Sequence, residues 1–316
     1  MTLERPYPTP PLSERDLRAL RVFRVVAEAG GLTAAESRLG MERSTVSRHL
    51  KGLEERLGGR LCQRGPRGFE LTEFGREVFA AAAALGDAVH EARAILSGRA
   101  AAIGGELRIG LADNCLSNPE ARVIEALGAF VAQAPDAQVR LVIGAPSELR
   151  RMLRERRLHG CVNGVAADPR LEGDELFGEE FRLYARAAPD GGSPHVSMLE
   201  ALGFGMVQRD GEGLEAGVRS PSLRLSRIAH AEGIEAVASL VACGAYVGMM
   251  PTHVAAAMAA HGIVEVAGAE AQRVRVRFGF VVERDRAPTR ALRLLRDIFR
   301  TTHSARRSWR QANPCP

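Results

Sequence analysis

The hydrophobic periodicity of this 316-residue chain changes at the Gly- and Ala-rich stretch SGRAAAIGG, residues 97–105. Before it, apolar residues recur at the three- and four-residue spacing of helices. After it, short apolar runs such as LRIGLA and VRLVIG alternate with helical segments, which is typical of an α/β domain with mostly parallel strands. The chain is therefore expected to fold as a helical unit followed by an α/β unit.

Short helices are predicted for the first unit from their caps and from the glycines that follow them. Ser13 can cap a helix that ends before Gly30, and Thr33 with Glu36 forms a capping box for a short second helix. The third helix lies in MERSTVSRHLKGLEERLG, residues 41–58. Two short strands around the turn Arg-Gly-Pro-Arg-Gly are expected after it.

The third helix carries basic and hydroxyl side chains on the face away from its leucines. Taken alone, such a helix is more often a solvated surface helix. A capped short helix precedes it, however, and an Arg-tipped hairpin follows, which is typical of a winged helix-turn-helix whose third helix enters the DNA major groove. The net charge of +5 is compatible with a nucleic-acid partner. The expected DNA contacts are Thr33, Arg43, Ser44, Thr45, Ser47, Arg48, Lys51, Arg64 and Arg67.

A long helix is predicted from Leu71 to Leu96, where apolar positions repeat every seven residues. Two interleaved series form an a/d seam, which favours a dimerisation helix. Packing of the same helix on its own domain is the alternative that the pattern leaves open. The expected dimer contacts are Leu71, Phe74, Val78, Leu85, Val89 and Ala92.

The second unit is long enough for two small sheets with a ligand cleft between them. Such clefts lie where strands end and helices begin, and a helix N-terminus suits a carboxylate. FRLYARA and QRVRVRFGFVVER are read as further strands. Ser147 begins a helix, so it is either a ligand contact or only a cap. The expected effector contacts are Asp113, Asn114, Ser117, Ser147, Asn163, His230 and Glu232.

The sequence lacks the motifs that are typical of metalloproteins, secreted or membrane proteins and enzymes. The five cysteines are scattered and do not form metal-ligand pairs, so reduced thiols and no metal or cofactor are expected. A signal-peptide h-region and an apolar run long enough to span a membrane are both missing, which predicts a cytoplasmic protein. An enzyme would need a pair such as Asp113 and His230, but no catalytic motif places them together. A DNA-binding architectural protein without a ligand remains the other alternative.

Residues 15–98 resemble the DNA-binding half of LysR-type transcriptional regulators. The resemblance is carried by LRALRVFRVVAEAGGLTAAESRLGMERSTVSRHLKGLEERLGGRLCQRGPRGFELTEFG. GELRIGLADN, SELRRMLRERRLHGCVNGV and LVACGAYVGMMPTHVA resemble the effector domain of the family more loosely. The chain departs from the family at Glu42-Arg43, where Ser-Gln is usual. Glu42 is a weaker N-cap than Ser, and Arg43 replaces an amide that often reads bases in the family. The operator preference of relatives is therefore not expected to carry over.

The resemblance implies an α/β multi-domain protein, in which a winged helix-turn-helix and a long linker helix precede a periplasmic-binding-protein-like effector domain of two α/β subdomains. It also implies a homodimer or homotetramer on an inverted-repeat DNA operator, a small-molecule effector between the subdomains, and contact with RNA polymerase if the protein is an activator. The expected segments are a disordered arm (1–14), the winged helix-turn-helix (15–72), the linker and dimerisation helix (73–98), a hinge (99–105), the effector domain (106–304, with subdomain I at 106–184 and 268–304 and subdomain II at 185–267) and a basic tail (305–316).

Overall fold

The computed structural model of the chain describes residues 12–65, 68–96, 103–113, 115–165, 168–209, 223 and 225–312. Most of the predicted arm, the tip of the hairpin, much of the predicted hinge and the end of the basic tail lie outside these residues. The chain separates into two compact units, one consisting essentially of Met1–Ala100 and the other of Ala101–Arg154 with Leu158–Pro316.

The first unit is a winged helix-turn-helix followed by a long helix. Its elements are α1 (Glu14–Ala29), α2 (Leu32–Leu39), α3 (Arg43–Leu57), β1 (Cys62–Gly65), β2 (Gly68–Leu71) and α4 (Glu73–Leu96). Ser13 and Asp16 form a capping box at α1, because the Ser13 hydroxyl accepts from Asp16 N and the Asp16 carboxylate accepts from Ser13 N at 2.7 Å. Left-handed glycines end α1, α2 and α3, as the sequence predicts.

The predicted capping box of Thr33 and Glu36 is wrong. Helix α2 begins at Leu32 with Gly31 as its N-cap, so Thr33 already lies inside the first turn. The Glu36 carboxylate instead accepts a hydrogen bond from the backbone N–H of Arg43 at 2.5 Å. That N–H is one of the donors that a helix start leaves without an intrahelical partner, so Glu36 caps α3.

The core of the first unit joins all four helices and the hairpin. Phe23 and Val26 of α1 pack against Leu50 of α3 and Phe79 of α4, and all four are almost completely buried. Close approach of α4 to the loop before β1 requires a glycine at position 75, because a Cβ there would lie 1.8 Å from the carbonyl oxygen of Leu61. The start of α4 is therefore fixed on its own domain.

The second unit contains two α/β subdomains. In chain order its elements are β3 (Gly104–Ala112), α5 (Val123–Gln133), β4 (Asp136–Gly144), α6 (Pro146–Arg154), β5 (Gly160–Gly164), β6 (Leu171–Arg186), β7 (Gly205–Arg209), β8 (Ile228–Ala231), α7 (Ile234–Ala242), β9 (Tyr246–Pro251), α8 (Thr252–Ala257), β10 (Ile263–Glu265), β11 (Val274–Glu283) and α9 (Arg290–Ala312).

The strands β6 and β11 run from one subdomain into the other. In the described part of the chain the strand order is β4-β3-β5-β11-β6-β9-β7-β8, and β10 pairs with β6. Pairing is parallel among β3, β4 and β5 and again among β7, β8 and β9, whereas β6 and β11 pair antiparallel with each other. The fold class expected from the sequence is confirmed, and each antiparallel pair described in the second unit includes β6 or β11, the strands that join the two parallel groups.

Helix α9 closes the first subdomain with its apolar face. Leu292, Leu295 and Phe299 are buried in the larger core, and Phe299 packs against Phe280 of β11 with ring centroids 5.1 Å apart. The opposite face of α9 is rich in arginine. Among the helices that the structure describes, none combines the length and the apolar character needed to cross a membrane.

Candidate nucleic-acid interface and ligand cleft

Helix α3 presents a polar stripe opposite its buried face. Val46, Leu50 and Leu53 point into the domain core at helical spacing. Ser44, Arg48 and Lys51 follow the same spacing on the other side and are exposed or nearly so. Among the remaining predicted contacts, Arg43 and Thr33 are exposed, whereas Thr45 and Ser47 are half-buried. The helix thus offers one continuous face of hydroxyl and basic groups, which suits the major groove.

An ion pair at the far end of α3 holds that helix on α1. The Arg56 guanidinium lies 2.7 Å from the buried Asp16 carboxylate and also donates to the Ser13 hydroxyl at 3.3 Å. The hydrogen bond from Ser13 and the charge of Arg56 lower the pKa of Asp16. The Glu54 carboxylate accepts from the backbone N–H of Leu61 at 2.8 Å, which ties α3 to the start of the wing. These contacts fix the helix that carries the polar stripe against α1 and the wing.

The wing is a short antiparallel hairpin. Cys62 pairs with Leu71, and Gly65 pairs with Gly68. At its base the Thr72 hydroxyl donates to Arg60 O at 2.7 Å and accepts from Gly75 N at 2.8 Å, so it joins the wing to the first turn of α4. Arg67 and the side chain of Arg64 lie outside the described residues, so their contacts with DNA stay predictions.

The predicted dimer contacts along α4 divide into two groups. Val78 lies in the core of its own domain, and Leu71 and Phe74 pack against that core. Leu85 is half-buried, whereas Val89 has an exposed fraction of 43% and Ala92 is exposed. The first residues of the series are thus explained by packing within the unit, which is the alternative that the sequence left open.

A groove of about 790 Å³ runs between α1 and the second half of α4. Its apolar floor includes Leu17, Leu85 and Val89, and arginines of α1, α2 and α4 line its rim. Leu17 and Val89 are both exposed, so the floor is open to another apolar surface. Two of the predicted dimer contacts, Leu85 and Val89, therefore lie in this groove.

A carboxylate links the two subdomains of the second unit. Asp113 follows β3 directly, and both of its oxygens lie 2.6 Å from Nη2 of Arg209, the last residue of β7. One of these oxygens also accepts from the backbone N–H of Ile234, the first residue of α7, at 2.9 Å. Asp113 belongs to the first subdomain, and both partners belong to the second. These contacts place a charged pair between the carboxyl ends of β3 and β7.

The other predicted effector contacts take different positions. Ser117 is exposed in the loop after β3, Ser147 is the second residue of α6, and Asn114 lies outside the described residues. His230 on β8 and Glu232 after it are exposed. Of these predicted residues, Asp113 makes the contacts described above between the first subdomain and the second.

Asn163 does not line the cleft, contrary to the sequence prediction. It is completely buried, its amide nitrogen donates to Pro146 O at 2.9 Å, and its amide oxygen accepts from Gly164 N at 2.8 Å. Both ends of the amide are used inside the first subdomain, where they fix the start of α6. Sequence reasoning missed Arg209, for which the signal was a basic residue at the end of the predicted strand GFGMVQ.

A second polar cluster lies beside the crossing strands. The buried Glu179 carboxylate of β6 accepts from Asn118 Nδ2 at 2.8 Å and lies 3.3 Å from Nδ1 of His253. Asn118 belongs to the loop after β3 and His253 to α8, so this cluster also joins the two subdomains. A cavity of about 450 Å³ opens next to it, between the residues 118–122, the middle of β6 and the start of α8.

Comparison with known proteins matches both units. A family model described as bacterial regulatory helix-turn-helix protein, lysR family, matches residues 17–76, and one described as LysR substrate binding domain matches residues 100–304. The HTH-type transcriptional activator BauR of Pseudomonas aeruginosa is 32% identical over 285 residues, which cover 89% of this chain and 93% of that protein.

Solved structures share the fold over most of the chain. A full-length variant of OxyR from Pseudomonas aeruginosa has a TM-score of 0.63 at 18% identity and covers 90% of this chain and 94% of its own. Full-length CbnR, solved in complex with its target DNA, has a TM-score of 0.56 at 22% identity and covers 90% of this chain and 99% of its own.

Proposed function

The chain belongs to the LysR family of DNA-binding transcriptional regulators with an effector-binding domain, and we propose that its effector is a small carboxylate-bearing molecule. This effector binds between the two subdomains at Asp113 and controls the activity of the protein. The observation that supports the effector site is the contact of Asp113 with Arg209 and Ile234. A carboxylate is already held there by a guanidinium and a helix N-terminus, the two groups that bind carboxylates best in proteins.

The proposed DNA contact is made by the polar stripe of α3. Arg48 can bind a guanine edge with two hydrogen bonds, and Ser44 is small enough to let the helix approach the bases. Lys51 is a point charge suited to a phosphate. This surface is extended by Arg43, Thr45, Ser47 and Thr33. The wing arginines Arg64 and Arg67 are proposed to reach phosphates or the minor groove.

We infer a homodimer joined through the groove of α1 and α4. Leu85 lies at the edge of the core of the unit, and Val89 and Ala92, one and two turns further along α4, are exposed. Leu17 and Val89 are exposed on the floor of the groove. A second α4 that packs there would bury these side chains and place two α3 helices on the halves of an inverted repeat.

Pairing of effector domains into a tetramer rests on two further apolar faces. Ile124 of α5 and Ile143 of the edge strand β4 are exposed on the first subdomain, with exposed fractions of 71% and 58%. Met198, Leu202 and Ile228 are exposed on the second subdomain. Two copies related by a twofold axis can cover both faces at once, the first face of each against the second face of the other.

Regulation through a reactive thiol and an enzymatic role are less well supported than control by an effector. Burial raises the pKa of the Cys115 thiol, and it raises the pKa of Cys161 to about 12, so both thiols stay protonated and weakly reactive at neutral pH. Asp113 is bonded to Arg209 and Ile234, so it is not available as the general base of an enzyme.

The relative in Pseudomonas aeruginosa is named an activator, which supports contact of this protein with RNA polymerase.

The proposed function is tested by fluorescence anisotropy of the full-length protein with the DNA upstream of its own gene, over a series of salt concentrations. Binding that resists random competitor DNA and weakens steeply with salt is expected. Equal affinity for random DNA and for every upstream fragment of the neighbouring genes would contradict sequence-specific regulation.

A further inference from the structure

The ion pair between Asp113 and Arg209 is largely enclosed. The exposed fractions of the two side chains are 15% and 17%, and the pair joins the end of β3 to the end of β7. Ile234 N adds a third contact to the same carboxylate. The groups that would recognise a ligand in this part of the cleft are therefore already bonded to each other across the two subdomains.

A ligand that enters at this pair has to leave both charges satisfied. A plain carboxylate that took Arg209 would leave Asp113 enclosed without its cation, and a plain amine that took Asp113 would leave Arg209 without its anion. An enclosed charge that loses its partner is far less favourable than the intact pair. A molecule with one charge of each sign avoids both losses.

The geometry points to a zwitterionic effector, an amino acid or another compound that carries both an ammonium group and a carboxylate, which binds by replacing the Asp113–Arg209 pair. Its carboxylate takes the place of the Asp113 carboxylate and accepts from Arg209 Nη2 and Ile234 N. Its ammonium group donates to the Asp113 carboxylate. This inference rests on the proposed function of the cleft as the effector site, and it names the class of effector.

The exchange also supplies a way to couple binding to a change of arrangement. Without the ligand, Asp113 holds Arg209 and the start of α7 directly, at 2.6 and 2.9 Å. With the ligand, the same groups are joined through the length of the effector, so the strand ends of the two subdomains move apart. The ligand binds the separated arrangement and not the directly bonded one, which is the differential affinity that a switch requires.

The enclosed pair at Asp174 provides the matched control. Asp174 on β6 accepts from Arg296 and Arg300 of α9, so it is also a carboxylate held by guanidinium groups, but it lies along the crossing strand. Replacement of Asp174 by Asn removes a comparable ion pair from the same domain without a change at the strand ends.

The test measures the melting temperature of the full-length protein with a matched set of compounds. The probes are the standard α-amino acids and the short straight-chain ω-amino acids, each beside the carboxylic acid and the amine of the same carbon skeleton. At least one amino acid is expected to raise the melting temperature, whereas its acid and its amine do not. A response to no amino acid, or an equal response to the acid or the amine alone, would overturn the inference.

Two variants then test which group meets which charge. Asp113→Asn is expected to weaken binding of the amino acid by about tenfold or more and to strengthen binding of its carboxylic acid by a similar factor, because Arg209 no longer has an internal anion. Arg209→Gln is expected to favour the amine instead, so the pair of variants remains informative if one fails to fold. Asp174→Asn should bind the amino acid like the wild type. An unchanged Kd for the amino acid in either folded cleft variant would overturn the assignment.

DNA binding in the same samples separates this inference from the proposed function. Protein that binds its upstream DNA specifically but answers only to an uncharged or singly charged compound would refute the zwitterion and leave the regulator in place. Protein without specific DNA binding would refute the proposed function, whatever ligand it takes.

Discussion

The carboxylate of Glu36 accepts a hydrogen bond from the backbone N–H of Arg43, so a side chain of α2 caps the first turn of α3. The N-cap residue of α3 is Glu42, whose own side chain makes no capping hydrogen bond among the described contacts. The missing serine cap at this position is thus compensated from the preceding helix. The same bond fixes the turn between the two helices that the DNA-binding motif requires.

Replacement of Glu36 by Ala is expected to lower the free energy of unfolding by roughly 1 kcal/mol, the usual cost of a lost N-cap. Urea unfolding of the full chain measures this change. Glu55→Ala on the exposed face of α3 is the control, since its contact with Lys51 is exposed and contributes little. Equal midpoints for the two variants would show that Glu36 does not act as the cap.

Arg48→Ala is expected to weaken binding to the specific operator by about 1–3 kcal/mol and to reduce discrimination between operator and random DNA. Lys51→Ala, on the same stripe, should weaken both kinds of DNA about equally and lower the salt dependence, because a lysine held by a phosphate reads no base. Anisotropy titrations with both DNAs distinguish the two outcomes. Operator affinity unchanged by Arg48→Ala would mean that α3 is placed wrongly in the groove.

Val89→Asp is expected to dissociate dimers that form through α4, because it puts a charge on the apolar floor beside Leu17 and Leu85. Ile143→Asp, on the edge strand β4, should leave those dimers and dissociate only tetramers. Sedimentation velocity measures both states. A Val89→Asp protein that sediments like the wild type would exclude the α4 groove as the dimer contact.

Two glycines give opposite expectations for the same substitution. Gly75→Ala should destabilise the protein by about 1–3 kcal/mol, because the added carbon would meet the Leu61 carbonyl oxygen and force the backbone apart. Gly128→Ala, in the middle of α5 with open space around it, should stabilise the protein by roughly 0.5–1 kcal/mol through a higher helix propensity. Denaturation midpoints of the two variants that move in the same direction would contradict this reading.

Sequence patterns were sufficient for the elements that local chemistry determines. The glycine stops of α1, α2 and α3, the helix cap at Ser13 and the helical stripe of α3 follow from the residues themselves. The hairpin and the alternation of strands and helices were predicted for the same reason. The position of Asp113 at the carboxyl end of a strand follows from the apolar run that directly precedes it.

Features that depend on distant partners were missed or wrong. Strand β6 begins at Leu171, well before the predicted FRLYARA. The first half of the strand was missed because acidic residues of low strand propensity interrupt its apolar pattern. Asp174 fits there because arginines of α9 pair with it. Glu36 and Asn163 were misassigned for a similar reason, since their partners are Arg43 N and Pro146 O beyond their own elements. The role of Arg209 was not predicted because it depends on the end of β7 lying close to the end of β3 in the folded domain.

The clamp of Arg296 and Arg300 on Asp174 predicts an acid-dependent loss of stability. Burial raises the pKa of Asp174, but hydrogen bonds from the two arginines more than offset burial, and the net pKa is lowered. A carboxyl group with a lowered pKa in the folded state stabilises the fold above its unfolded pKa of about 3.9, and this contribution is lost as the pH falls through the folded pKa.

The melting temperature of Asp174→Asn should therefore lie below that of the wild type at neutral pH, and the difference should shrink as the pH falls below about 4. Differential scanning calorimetry across this pH range measures the effect, with Asp297→Asn on the exposed side of α9 as the control. A difference between wild type and Asp174→Asn that stays constant down to the lowest pH at which the wild type is folded would show that the charge of Asp174 does not hold α9 on β6.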